Sequence, residues 1–142
     1  MSIAFIDLQA QRARISDEVQ QATSNVIAHG QYIMGPEVAA LESRLAEWTG
    51  ATWALSCGNG TDALQLALMA LGIGPGDAVF VPSFTFVATV EAVALVGATP
   101  VFVDVDLETF NMCPSSLAEA VDTIRVGQDL APRAVIPVDL FG

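Results

Sequence analysis

Trp53-Ala54-Leu55-Ser56-Cys57-Gly58-Asn59-Gly60-Thr61-Asp62-Ala63-Leu64 is the stretch whose reading decides the fold. An apolar run stops at two glycines and restarts in strong helix formers, Ala63, Leu64, Leu66, Ala67, Leu68, Ala70 and Leu71, which end at Gly72. Trp53 to Cys57 is too short for a helix and is bounded by glycine, so it is predicted as a buried strand. Strand, tight turn and helix N-terminus follow one another, with Thr61 or Asp62 placed to cap the helix. The first-turn N–H groups and the helix dipole then offer a site for phosphate or another anion. A turn in which glycine serves geometry alone remains the plainer alternative, because such turns join α/β units generally.

Gly58-x-Gly60-x-x-Ala63 also fits the dinucleotide fingerprint, which calls for an acid at the end of the next strand to hold a ribose. That strand ends in Pro82-Ser83-Phe84-Thr85-Phe86, and its one nearby acid, Asp77, precedes it. A Rossmann-type oxidoreductase domain is therefore the weaker alternative.

Outward from this turn, strands and helices alternate. Strands are predicted over 52–57, 78–82, 100–105 and 133–138, and helices over 61–71, 86–96 and 115–125. Turns such as Gly74-Pro75-Gly76-Asp77 and Gly97-Ala98-Thr99-Pro100 join them. Valine-rich strands with helices between them imply an α/β fold of three layers, α/β/α, around a mostly parallel sheet. Ser116-x-x-Glu119 reads as a capping box opening the last helix. Upstream, Phe5 to Leu8 reads as a short extended arm. Ile15, Val19, Ala22, Val26 and Ile27 mark an amphipathic helix closing at Gly30, and Pro36 starts a second helix that ends at Gly50. His29 falls in a last turn, where a cation suits the dipole.

Charge narrows the function. Sixteen acids against five bases give a net charge of −11, which argues against nucleic acid and anionic membranes as partners. All five bases are arginine: Arg12, Arg14, Arg44, Arg125 and Arg133. Only 15% of residues are charged while 53% are hydrophobic, which suggests apolar surface meant for a partner or for further chain. Cys57 and Cys113 have no CxxC or Cys/His spacing, so no disulfide framework or zinc site is indicated, and both are expected as reduced, buried cysteines of a cytoplasmic protein. Asp104 and Asp106, two apart at a strand end, share a face. They suit a metal or an acid/base pair less well than the capping of turns around Asn111, since no third ligand follows. Phe84 and Phe86 are candidates either to stack on a flat ring beside the anion turn or to fill the core, with Ser83 or Thr85 as a helix cap.

Together these pieces resemble the DegT/StrS-type nucleotide-sugar aminotransferases, pyridoxal-phosphate (PLP) enzymes of fold type I. The resemblance rests on Phe5 to Leu8, Gly30 to Glu37, Cys57 to Leu64, Gly74 to Asp77, Pro82 to Thr89 and Pro100 to Asp106, in the family's order. It departs around Arg125 to Pro132, where the family usually has a shorter link. The resemblance implies an arm and two helices over 1–50. Over 51–142 it implies the N-terminal part of the PLP-binding large domain, ending before the catalytic lysine.

By position, it implies that Gly60, Thr61 and Asp62 hold the PLP phosphate, that Phe86 stacks on the pyridine ring, and that Tyr32 lies near the substrate or a dimer interface. It further implies amination of a UDP-linked 3-oxo sugar such as UDP-2-acetamido-2-deoxy-3-oxo-glucuronate, with glutamate as donor, for cell-surface polysaccharide or glycan precursors, by a homodimer in full-length form. The Schiff-base lysine is absent from this chain, so no catalytic residue is assigned within it. A truncated paralogue acting as an interaction module is the remaining alternative.

Overall fold

The computed structural model describes residues 6–127 and 129–142, in two compact units, Met1–Ser56 and Cys57–Gly142. In the first unit, α1 (Leu8–His29) is capped by Asp7, whose Oδ1 accepts from the Ala10 N–H at 2.9 Å. Asp7 and Leu8 therefore begin a helix rather than continue an extended arm, and the arm's Phe5 lies outside the described residues. Gly30 ends α1 at φ 70°, a left-handed conformation that glycine reaches without steric cost. α2 (Pro36–Thr49) starts on the expected proline. Before it, a Cβ at Gly35 would collide with the Gln31 carbonyl oxygen, so the close approach fixes glycine there. His29 does find an acid: its Nε2 meets Glu37 Oε1 at 2.9 Å, while its Nδ1 accepts from the Gln31 N–H. That bond holds the Glu37 carboxyl below its usual pKa.

Residues 51–57 form no strand, which corrects the expectation of a buried one: Trp53 is 83% and Leu55 89% exposed. A strand exists through its ladder, and the sheet's three strands pair with one another in the order β2-β1-β3.

That sheet organises the second unit. Its members β1 (Asp77–Pro82), β2 (Thr99–Val103) and β3 (Ala131–Val135) are parallel. β1 is central and its alternation divides the core. Val79 and Val81 face α3 (Gly60–Ala70) and α4 (Ala88–Leu95), packing with Leu68, Ala92 and Val93. Ala78 and Phe80 face α5 (Pro114–Gly127), packing with Leu117, Val121 and Ile124. Both faces of one strand are thus covered, the reason a near-continuous apolar run reads as a parallel strand. The sheet is three-layered and parallel, as expected.

Boundaries move in physically instructive ways. β3 runs from 131 rather than 133; Pro132 pairs with Ala78 and Ala134 with Val79, so the register shifts at Arg133, the extra residue between them. The capping box does not form, because α5 starts two residues before Ser116. Cys113 takes the cap position instead, its thiol 3.1 Å from Ser115 Oγ, and Ser116 Oγ accepts from the Asp104 N–H. The Ser115 hydroxyl, with the Ser116 N–H, lowers the Cys113 thiol pKa. Cys57 is exposed and Cys113 partly so, not buried as expected. Asp106 caps the turn at 107–109, accepting from the Thr109 and Glu108 N–H groups and the Thr109 hydroxyl, and these bonds lower its pKa. Among the described residues no helix is long and apolar enough to cross a membrane, and no cluster of three His, Cys, Asp or Glu is placed to hold a metal.

Candidate cofactor site

Parallel sheets gather ligands beyond the carboxyl ends of their strands, and here the segments after β1 and β3 meet the turn before α3, which no strand delivers. The turn is built on Asn59. Its side-chain oxygen accepts from the Asp62 N–H at 2.9 Å, and its Nδ2 donates to Asp62 Oδ2 at 3.1 Å. Asn59, rather than Thr61 or Asp62, is therefore the helix cap. The Asp62 carboxylate is folded back over Gly58, where an added Cβ would lie 2.7 Å from Asp62 Oδ2. Cys57 Sγ also turns inward, donating to the Asn59 carbonyl. Asn59→Ala is expected to cost α3 about 1 kcal/mol, read as a shift of the chemical-denaturation midpoint at unchanged slope.

The same cap leaves the N–H groups of Gly60 and Thr61 without an acceptor among the described residues. Gly60 and Thr61 line a pocket of about 360 Å³ together with Thr85, Phe86, Val138 and Leu140. Its wall includes Thr89, 5% exposed, whose hydroxyl is shared with that of Thr85 at 3.1 Å. Phe86 is 72% exposed, so it is a pocket aromatic and not the core residue of the alternative reading. Phe84 instead meets Phe110, ring centres 5.5 Å apart, and Phe110 meets Phe141 at 5.4 Å. Neither Ser83 nor Thr85 caps α4, since Val87 stands at that position with no side-chain bond.

Of the residues singled out from the sequence, Gly60, Thr61 and Phe86 come together at one pocket, and Asp62 supports the turn behind it with its N–H already engaged. Tyr32, 67% exposed, lies in the loop between α1 and α2 of the other unit. Sequence reasoning missed Asn59, which the spacing Asn59-x-x-Asp62 would have offered as a cap, and Val138 and Leu140, for which no local signal exists.

Free donors at a helix start fit the phosphate of a cofactor, and an exposed ring in the same pocket fits its flat heterocycle. Fold and pocket together define an α/β protein with a pocket where free helix-start donors and an exposed aromatic ring meet. The chain belongs to the DegT/DnrJ/EryC1/StrS aminotransferase family, whose model matches residues 13–142. It is 54% identical over 140 residues to the UDP-2-acetamido-2-deoxy-3-oxo-D-glucuronate aminotransferase of Pseudomonas aeruginosa, covering 99% of this chain and 37% of that one. A DegT DnrJ EryC1 StrS aminotransferase from Brucella abortus superimposes with a TM-score of 0.95 at 57% identity, over 99% of this chain and 38% of that chain. NtdA from Bacillus subtilis, solved with bound cofactor PMP, matches with a TM-score of 0.78 at 29% identity, over 89% of this chain and 28% of that chain. The chain thus spans a little over a third of the length of the curated relative it matches, and its fold is that portion of a fold type I transferase.

Proposed function

We propose that this chain supplies the phosphate-holding and ring-holding part of a PLP-dependent aminotransferase acting on a keto nucleotide sugar, a UDP-linked 3-oxo sugar, with glutamate as amino donor. The observation that carries the reading is the meeting of Gly60, Thr61 and Phe86 at one pocket beyond the strand ends. Identity of 54% to an aminotransferase of a UDP-linked 3-oxo sugar supports the substrate class.

When bound, PLP supplies an electron sink that lets an amino group move between carbon skeletons. In this reading the Gly60 and Thr61 N–H groups and the Thr61 hydroxyl hold the phosphate, reinforced by the positive end of the α3 dipole. The Asp62 N–H joins them only by exchanging its bond to Asn59 Oδ1. Phe86 would stack on the ring. Asp62 keeps the turn closed through Asn59, its carboxylate folded back over Gly58. Tyr32 acts near the substrate or at a homodimer interface, and the enzyme works in the cytoplasm on precursors of cell-surface glycans.

Titration of the chain with PLP and, separately, with NAD(P), followed by tryptophan fluorescence and PLP absorbance, tests this. PLP is expected to bind and NAD(P) not to. Phe86→Ala is expected to weaken PLP binding about 3- to 10-fold, the equivalent of an aromatic stacking contact. Binding of NAD(P) in preference to PLP would return the Rossmann reading.

A further inference from the structure

Residues 51–57 lead directly into the Gly58–Thr61 turn, yet they belong to no strand and most of them are exposed. Among the described residues, no backbone–backbone hydrogen bond holds 51–56. Their polar ties reduce to one carboxylate. Glu42 Oε1 on α2 accepts from the Ser56 N–H at 2.8 Å and from the Ser56 hydroxyl at 2.7 Å. Along the rest of this stretch a groove of about 490 Å³ lies between α2 and residues 52–55, so apolar contact does little to fix it.

We infer that Glu42 is a positioning residue for the cofactor turn: by clamping Ser56 it sets where the backbone enters Cys57 and hence the conformation of Gly58 to Asp62. The inference rests on the proposed function for what the turn holds, but not for the clamp itself. Two donors on one residue, a backbone N–H and a side-chain hydroxyl, fix both its position and its rotation about the chain, which a single bond does not. One peptide bond further on, the restraint continues: the Cys57 thiol donates to the Asn59 carbonyl, and Asn59 grips Asp62. Each link is short, and each constrains the next residue that the turn needs. The two bonds from Ser56, the backbone one first, also hold the Glu42 carboxyl below its usual pKa, so the acceptor stays ionised across neutral pH. Nothing in the reaction asks Glu42 to touch cofactor or substrate. Its part is to remove freedom from the turn before the phosphate arrives, so that less ordering remains to be done on binding.

Amide hydrogen exchange of the full chain, with PLP affinity measured alongside, tests this on Glu42→Ala, Glu42→Gln and Ser56→Ala. The probes are the Ser56, Asp62 and Ala63 N–H groups. The latter two are bonded to Asn59 and report the turn rather than the clamp. Glu42→Ala is expected to speed exchange at all three by about 3- to 10-fold and to weaken PLP binding by a similar factor. Glu42→Gln keeps an accepting oxygen and is expected to stay near the parent chain. Ser56→Ala removes one bond without touching α2 and is expected to fall between them, which keeps the test decisive if Glu42→Ala does not fold. Acceleration confined to Ser56, with Asp62 and Ala63 unchanged in Glu42→Ala and in Ser56→Ala, would overturn the inference. Failure of the parent chain to bind PLP sinks the proposed function instead, and the exchange rates still decide the clamp.

Discussion

The purified chain, given PLP, glutamate and a 3-oxo nucleotide sugar, is expected to form no aminated product above the uncatalysed control. Transamination on PLP needs a side-chain amine that can lose its proton, both to hold the cofactor and to carry a proton across the substrate carbon. This chain has no lysine, and its five bases are all arginine, whose guanidinium stays protonated at any working pH. His29, the one imidazole, lies in the other unit, bonded to Glu37 and to the Gln31 N–H. Binding and turnover therefore separate cleanly: the pocket at Gly60, Thr61 and Phe86 is expected to hold cofactor that goes unused. Glutamate-dependent amination by the homogeneous chain, measured by mass spectrometry of the sugar nucleotide, would contradict this and assign the proton transfers to some other group.

The second large effect is expected at Val81. It is 0% exposed on the central strand, between Leu68 and Val93 on the α3 and α4 face. Val81→Asp forces a carboxylate into that layer with no cation in the cluster to meet it. An unpaired buried charge of this kind costs upward of about 4 kcal/mol, against a whole-domain stability of about 5–15 kcal/mol. The 57–142 unit is expected to lose its cooperative transition altogether, seen as a sloping far-ultraviolet melt. Leu107→Asp, at a residue 86% exposed in the turn that Asp106 caps, is expected to stay within about 0.5 kcal/mol of the parent. A cooperative Val81→Asp melt near the parent midpoint would mean that β1 is not the spine of the sheet.

Much of this architecture is legible in the residues because it is local. Gly30 and Gly50 end their helices and Pro36 begins one, since φ preference belongs to the residue itself. Ala78 to Val81 reads as a strand buried on both faces because its own run is apolar on both sides of the alternation. What failed depended on partners. The 53–57 run carries the apolar signature of a strand, but a ladder is made by a neighbour that no short window reveals. At the two helix starts an earlier residue stands at the cap: Asn59, two before Thr61, takes the Asp62 N–H, and Cys113 precedes α5, three before Ser116. Several caps compete at such positions, and tertiary placement chooses between them. Gly60, Thr61 and Phe86 were legible as one pocket because turn glycines and a strand-end aromatic advertise themselves, whereas Glu42 does so only once the path of residues 51–56 is known.

The order of the strands also carries a kinetic consequence. β1 reaches β2 across residues 83–98 alone, while β3 joins its other edge only after residues 83–130 have been laid down. Loop closure grows more costly in entropy with length, so β1, α4 and β2 are expected to assemble before β3 docks. The register shift at Arg133 lies on that later strand, so it is expected to bear on the docking of β3 rather than on the pairing of β1 with β2.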